Sequence, residues 1–298
     1  MTCNDTAIGR RSFVRDGILV LGSVAAGSAK LLGNTQPEQL QFALVTDLHY
    51  ADKPSAGTRH YRQTLDKLQE AAEQYARDKP TFIVELGDLI DAADSVETEL
   101  AYLATINREF SAIGKDRVYV LGNHCVDTLK KEEFLEAIGQ AKSYFSFDRQ
   151  GVHFIVLDGC FRSDGVPYQR KNFKWDDANI PSEELEWLQA DLAACTKPTI
   201  VLTHQRLDVT KSHSVKNHAE VRRLLESSGK VLAVFQGHSH DNDLQELNGI
   251  HYCTMVAMVE GADLSSSGYS LVCIQPDGTI QVTGFRRQQS HQWPTRHT

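Results

Sequence analysis

Leu40-Gln41-Phe42-Ala43-Leu44-Val45-Thr46-Asp47-Leu48-His49 decides the fold, because a short β-type run ends there on two residues of metal-ligand type. If the chain stays extended past the run, alternate residues share a face, so Asp47 and His49 reach one ion together. The same grammar returns four times. The run 81–86 leads into Gly87-Asp88, 117–121 into Gly122-Asn123-His124, 199–203 into His204, and 231–236 into Gly237-His238-Ser239-His240. Between the first three runs lie helical segments. Leu65, Leu68, Ala72, Tyr75 and Ala76 recur at helical spacing over 61–77, Pro80 closes that segment, and a second spans 96–113. Strand and helix in alternation predict βαβ units with mostly parallel, buried strands. In an open sheet of this kind the carboxyl ends of the strands line the ligand crevice, so the polar endings are expected at one rim.

The second half changes rhythm. Segments 143–147 and 152–157 flank Arg149-Gln150-Gly151, a hairpin turn. From Asp158 to Pro181 the chain is irregular and rich in Gly, Asp, Arg and aromatic residues, and loops of that length are more often functional rims than spacers. Ser182-Glu183-Glu184-Leu185 opens a helix with the pattern of a capping box, and another helix is expected near 219–227. Segments 244–247, 250–254, 269–274 and 280–285 read as antiparallel strands, with Pro276-Asp277-Gly278 a turn. No internal repeat or interdomain linker interrupts the pattern, so one α/β domain is expected over 38–290.

At 298 residues, with 41% hydrophobic and 23% charged residues, the chain has the make-up of a soluble globular protein. A formal charge of −8 and the lack of a long basic run argue against a nucleic-acid duplex or an anionic membrane as partner. Residues 1–30 read differently. Arg10, Arg11 and Arg15 precede an apolar run from Gly17 to Ala26, and small residues follow to Ala29. That layout describes an export signal too short to span a membrane comfortably, and the segment 9–15 resembles the twin-arginine signal of bacteria. The expectation is a periplasmic or extracellular protein with no stable membrane insertion once the signal is cleaved near Ala29. Of the six cysteines, Cys3 would leave with the signal, and none forms a C-x-x-C pair. Neither a thiolate zinc site nor a disulfide framework is expected.

Imidazole and carboxylate together suit zinc, manganese and iron. Seven candidate ligands exceed what one ion usually takes, whereas two ions about 3.5–4 Å apart, bridged by a carboxylate, account for them. The order D-x-H, G-D, G-N-H, lone H and G-H-x-H resembles that of the calcineurin-like metallophosphoesterases, over about Leu40 to Phe285. The resemblance implies two mixed β-sheets packed as a sandwich and flanked by helices. It implies hydrolysis of phosphodiester or phosphoanhydride bonds with two divalent or trivalent metal ions, manganese, iron or zinc. By position it implies Asp47, His49 and His240 as ligands of a first metal, with Asp88 bridging, and Asn123, His204 and His238 as ligands of a second. His124 resembles the family's non-ligand catalytic histidine. The family follows its G-N-H with Asp or Glu, which helps orient that histidine. Here Cys125 stands at the position, and Asp127 is the expected replacement.

Gly57-Thr58-Arg59-His60-Tyr61-Arg62, the helix after it and the segment 85–91 resemble the manganese-dependent ADP-ribose/CDP-alcohol pyrophosphatase branch. That resemblance implies a small phosphate ester or a nucleotide-like substrate. Arg59, Arg62 and Arg206 are candidates to grip a second phosphate, because a guanidinium pairs with it bidentately. Arg62, which opens a helix, fits a solvated surface residue equally well. Tyr168, Arg170, Lys171, Phe173 and Trp175 are read as a loop that stacks a base or covers the mouth, or alternatively as a packed Ω-loop. His213 and His218 are read as surface residues. The alternatives are a broad-specificity phosphomonoesterase and a metal-binding protein whose site fails at Cys125. With no G-x-S-x-G elbow, a serine hydrolase has no footing.

Overall fold

Each apolar run becomes a strand, and its alternate residues sort onto two faces. The computed structural model describes residues 39–294; the expected export signal, residues 1–30, lies outside them. The element order is β1 (Leu40–Val45), α1 (Thr64–Asp78), β2 (Phe82–Glu85), α2 (Val96–Ile113), β3 (Arg117–Tyr119), α3 (Lys131–Ile138), β4 (Phe145–Arg149), β5 (Val152–Val156), β6 (Phe161–Arg162), β7 (Ala178–Asn179), α4 (Ser182–Ala194), β8 (Thr199–Leu202), α5 (His218–Ser228), β9 (Val231–Gln236), β10 (Asp243–Leu247), β11 (Ile250–Thr254), β12 (Gly268–Ile274), β13 (Ile280–Arg286) and β14 (His291–Trp293). Two six-stranded sheets form, in the orders β14-β13-β12-β1-β2-β3 and β10-β11-β9-β8-β5-β4, with β6 and β7 as a short ribbon. β1, β2 and β3 are parallel, as are β5, β8, β9 and β11, while β12, β13, β14, β4 and β10 join antiparallel.

Strand parity explains why these sheets stack. Phe42, Leu44, Phe82 and Val84 from one sheet meet Phe154, Val156, Ile200, Leu202 and Phe235 from the other, in a cluster that holds no helical residue. Their neighbours Ala43, Val45, Ile83, Ile155, Val201 and Val234 point the other way. They pack with Leu68, Phe110, Phe134, Leu188 and Leu225, one from each of α1 to α5. Alternation of period two therefore buries every central strand on both faces, giving the two-sheet sandwich flanked by helices that the resemblance implied. Among the described residues, no helix is long and apolar enough to cross a membrane.

Several local expectations change. The hairpin turn between β4 and β5 is made by Gln150 and Gly151, with φ of 44° and 83°. The capping box at Ser182 does not form: Pro181 holds the cap position of α4 with no side-chain hydrogen bond, and Ser182 is already helical. The eight-residue α3 was not anticipated, and β14 pairs with β13, carrying the fold past residue 290.

Phe42 is wholly buried, stacked on Phe82 at 5.1 Å and edge-on to Phe154 and Phe235 at 5.4 and 5.9 Å. Phe42→Ala leaves a hole between two sheets that are rigid in their own hydrogen bonding. It is expected to cost about 3–5 kcal/mol, read as a shift of the urea unfolding curve. A loss under about 1 kcal/mol would mean that the sheets close over the gap.

Candidate metal centre

The loops after β1, β2, β3, β8 and β9 carry the candidate ligands, and the chain does not stay extended there. Asp47 and His49 have φ of 51° and 46°, Asp88 59°, His238 69° and His240 63°. Left-handed backbone at a residue with a Cβ costs roughly 1–2 kcal/mol, so five such residues at one rim mark a strained site. The turns are held by strand-like bonds: Asp47 N donates to Gly87 O at 2.9 Å, His49 N to Asp88 O at 2.8 Å, and Val259 N to Asp47 O at 3.0 Å. Two motif glycines serve close approach. A Cβ on Gly122 would lie 2.2 Å from Asp88 N and Oδ1, and one on Gly87 would lie 2.4 Å from His204 Nδ1.

The structure brings all seven candidate ligands together. Asp47, His49 and His240 form one group, and Asp88, His204 and His238 another. His49 Nε2 and His240 Nε2 are 3.2 Å apart, and Asp47 Oδ1 lies 3.7 and 3.4 Å from them. In the second group His238 Nδ1 and His204 Nε2 are also 3.2 Å apart. Asp88 Oδ2 stands between the groups, 3.5 Å from His49 Nε2 and 3.1 Å from His204 Nε2. Asn123 is buried, and its Oδ1 has no hydrogen-bond partner.

These residues fit metal ions on their own chemistry. Asp47 Oδ1, Asn123 Oδ1 and His238 Nε2 are buried without partners, although buried polar atoms are normally paired. Outer partners turn the remaining atoms inward. Thr46 Oγ1 donates to Asp47 Oδ2 at 2.7 Å, leaving Oδ1 for the centre. His204 Nδ1 bonds Leu86 O at 2.9 Å and His240 Nδ1 bonds Glu260 Oε1 at 2.6 Å, which frees both Nε2 atoms. Burial and then the charge of His204 hold the His238 imidazole well below its usual pKa, which favours the neutral form that a cation could use. Burial opposes protonation of His240, but the adjacent Asp47 carboxylate, then Glu260, raise its pKa to about 9. The segment bearing Glu260 is itself anchored. Lys67, fully buried, donates Nζ to Met258 O, Glu260 O and Gly261 O at 3.0, 2.9 and 2.7 Å. Neither Glu260 nor Lys67 belongs to a motif, and nothing in the local sequence singles them out.

His124 sits beside the cluster, its ring 4.6 Å from that of His49. Its partner corrects the expectation. Asp91 Oδ1, not Asp127, lies 2.5 Å from His124 Nδ1 and 3.5 Å from His49 Nδ1. Lys53 Nζ holds the other oxygen of Asp91 at 2.7 Å. Asp127 lines the same cavity and accepts Lys171 N on its backbone oxygen at 2.6 Å. Cys125 points into the apolar core, so its position lends the histidine nothing. Burial disfavours the imidazolium, yet Asp88 and Asp91 together raise the His124 pKa above its usual value. The spacing Asp88-x-x-Asp91 was the signal available for this pair.

A cavity of about 590 Å³ opens on the cluster, and Arg59 lines it with Asp88, Asn123, His124, His238 and His240. Arg206 does not belong to that lining. Its guanidinium is spent on Asp208, at 2.6 Å, and on Asp243, so the reading of Arg206 as a phosphate ligand is replaced by an internal ion-pair role. Arg62 pairs with exposed Asp52 at 2.6 Å, away from the cavity. The irregular loop both packs inward and reaches the site: Tyr168 is buried, while Phe173 and Trp175 line the cavity. His213 also lines it and is not a plain surface residue; His218 is half-buried at the start of α5.

Known proteins of similar sequence and shape can be set against this geometry. The sequence profile of the calcineurin-like phosphoesterases matches residues 40–242. A manganese-dependent ADP-ribose/CDP-alcohol diphosphatase of Arabidopsis thaliana is 22% identical, over 84% of this chain and 95% of that protein. A probable cyclic nucleotide phosphodiesterase of Synechococcus is 23% identical, over 80% of this chain and 89% of its own length. The fold is that of a dimetal phosphatase from Danio rerio, with a TM-score of 0.75 at 19% identity, covering 86% of this chain and 98% of that one. With the profile matched over more than half its length, and every ligand motif inside that match, the chain belongs to the calcineurin-like phosphoesterase family.

Proposed function

We propose that the chain hydrolyses phosphoanhydride or phosphodiester bonds of small nucleotide-like substrates, with two cations held by the seven ligands. The observation that carries the reading is Asp88 Oδ2, one carboxylate oxygen standing between two complete ligand groups. When bound, such a pair of cations lowers the pKa of water and neutralises phosphate charge. The chain's own residues do the rest. His124, its pKa raised and its Nδ1 facing Asp91, is poised to protonate the leaving oxygen or to stabilise developing charge. Arg59, on the cavity wall, is placed to pair with a second phosphate. Relatives named as manganese-dependent diphosphatases of ADP-ribose and CDP-alcohols support a phosphoanhydride substrate and manganese for this chain.

With manganese supplied, cleavage of ADP-ribose is expected to exceed that of p-nitrophenyl phosphate by about tenfold or more in kcat/KM. The opposite order would make the chain a phosphomonoesterase. The residue roles separate in two variants. Asp88→Asn should lose metal and turnover together, whereas His124→Ala should keep its metals and lose about 10²–10⁴-fold in kcat. Metal loss in both, by elemental analysis, would contradict the division of labour.

We also infer that residues 1–30 direct export, a reading supported by the paired arginines Arg10 and Arg11 and the apolar run behind them. Fused to a reporter in a bacterium, this segment should deliver it to the periplasm only while the twin-arginine translocase is present. Export that persists without that translocase would overturn the route.

A further inference from the structure

Trp175 leaves 46% of its surface exposed, the most of the large apolar side chains among the described residues, and it does so on the wall of the metal cavity. We propose that Trp175, together with His213, is a stacking platform for the nucleobase of the substrate. The inference rests on the reading above that the site takes nucleotide-like phosphates, and it names the part of the substrate that this chain selects.

The indole is poised and not covered. Its ring is tilted by 43° to His213 at 5.3 Å and by 55° to His238 at 5.9 Å, so neither of these rings lies flat against it. His213 is in turn 5.5 Å from His238, which places the pair directly beside the second ligand group. A phosphate at the cluster would therefore hold its organic substituent within reach of the indole. The cavity, about 590 Å³, has the size of a nucleotide site. An indole stacks any base, because every base has a π-face, whereas an aliphatic group gains no such contact.

The platform is also built in advance. Phe173, two residues before Trp175, lies flat on wholly buried Tyr168, with ring centres 3.9 Å apart and planes 7° apart. Tyr168 OH donates to Lys174 O at 3.3 Å and Asp177 N donates to the same oxygen at 3.0 Å. At the foot of the loop, β6 and β7 pair Phe161 with Asn179 and Arg162 with Ala178. A loop fixed at its foot, before the tryptophan and just after it has little order left to gain on binding, which is how an exposed aromatic becomes a binding element.

The test uses the manganese-loaded protein with AMP and with ribose 5-phosphate, which keeps the sugar and phosphate but lacks the base. Wild type should bind AMP about tenfold more tightly than ribose 5-phosphate by titration calorimetry, and AMP should quench tryptophan emission. Trp175→Ala, at an exposed position, should erase both the AMP advantage and the quenching, and Trp175→Phe should keep most of the advantage. Equal affinities in wild type, or an AMP advantage that survives Trp175→Ala, would overturn the platform. Failure of the diphosphatase reading looks different: ADP-ribose would go uncleaved while AMP still quenched Trp175, an outcome that supports the platform.

Discussion

Asp47, Asp88 and Asp91 sit at 0%, 1% and 3% exposure, among His49, His124, His204 and His240. Taking a carboxylate out of water costs several kcal/mol unless positive charge comes with it. In the protein alone the histidines supply that charge: the pKa values of His124, His204 and His240 are all raised, each against the opposing effect of burial. Metal ligation and protonation compete for the same imidazole atoms, so cations would replace protons at one buried charge balance. The left-handed turns at Asp47, His49, Asp88, His238 and His240 follow from the same need, because an extended chain would spread these groups along an edge. The strain is tolerated because Phe42, Phe82, Phe154 and Phe235 lock the two sheets together behind the rim.

What orients the ligands comes from far along the chain. His240 is fixed by Glu260, Glu260 is carried by a segment tied to Lys67 of α1, and Tyr75 of the same helix donates to Leu44 O and Ser270 O. The match to the family ends at residue 242, yet the residue that sets the His240 ring lies beyond it. Motifs supply the donor atoms, and the surrounding packing decides which lone pair faces inward.

That division explains what the sequence could disclose. Strand and ligand coincide at β1, β2, β3, β8 and β9, so apolar runs that stop at Asp, Asn or His were readable one at a time. The apolar runs by themselves pointed to βαβ units, and the two-sheet sandwich came from the resemblance; burial of the central strands on both faces is the physical reason that it forms. Pairing through space was not readable. Asp127, three residues on, was the expected partner of His124, whereas Asp91 reaches that histidine only because β2 and β3 lie side by side. Arg206 looked free, because nothing local says that Asp243, in another strand, would take its guanidinium. The eight residues of α3 were too few for periodicity to register, and Pro181 took the cap that Ser182 seemed suited to fill.

The acidic balance of the chain bears on the same centre. A protein of formal charge −8 repels a phosphate ester on average, and Asp47, Asp88 and Asp91 would repel it further at close range. Two divalent cations, taking the place of the histidine protons, would exceed the charge of those three carboxylates and draw a phosphate ester in. His124 and Arg59 add positive charge to the wall of the same cavity. Substrate affinity would therefore rise with metal occupancy, which leaves rim contacts such as the proposed Trp175 platform to distinguish one phosphate ester from another.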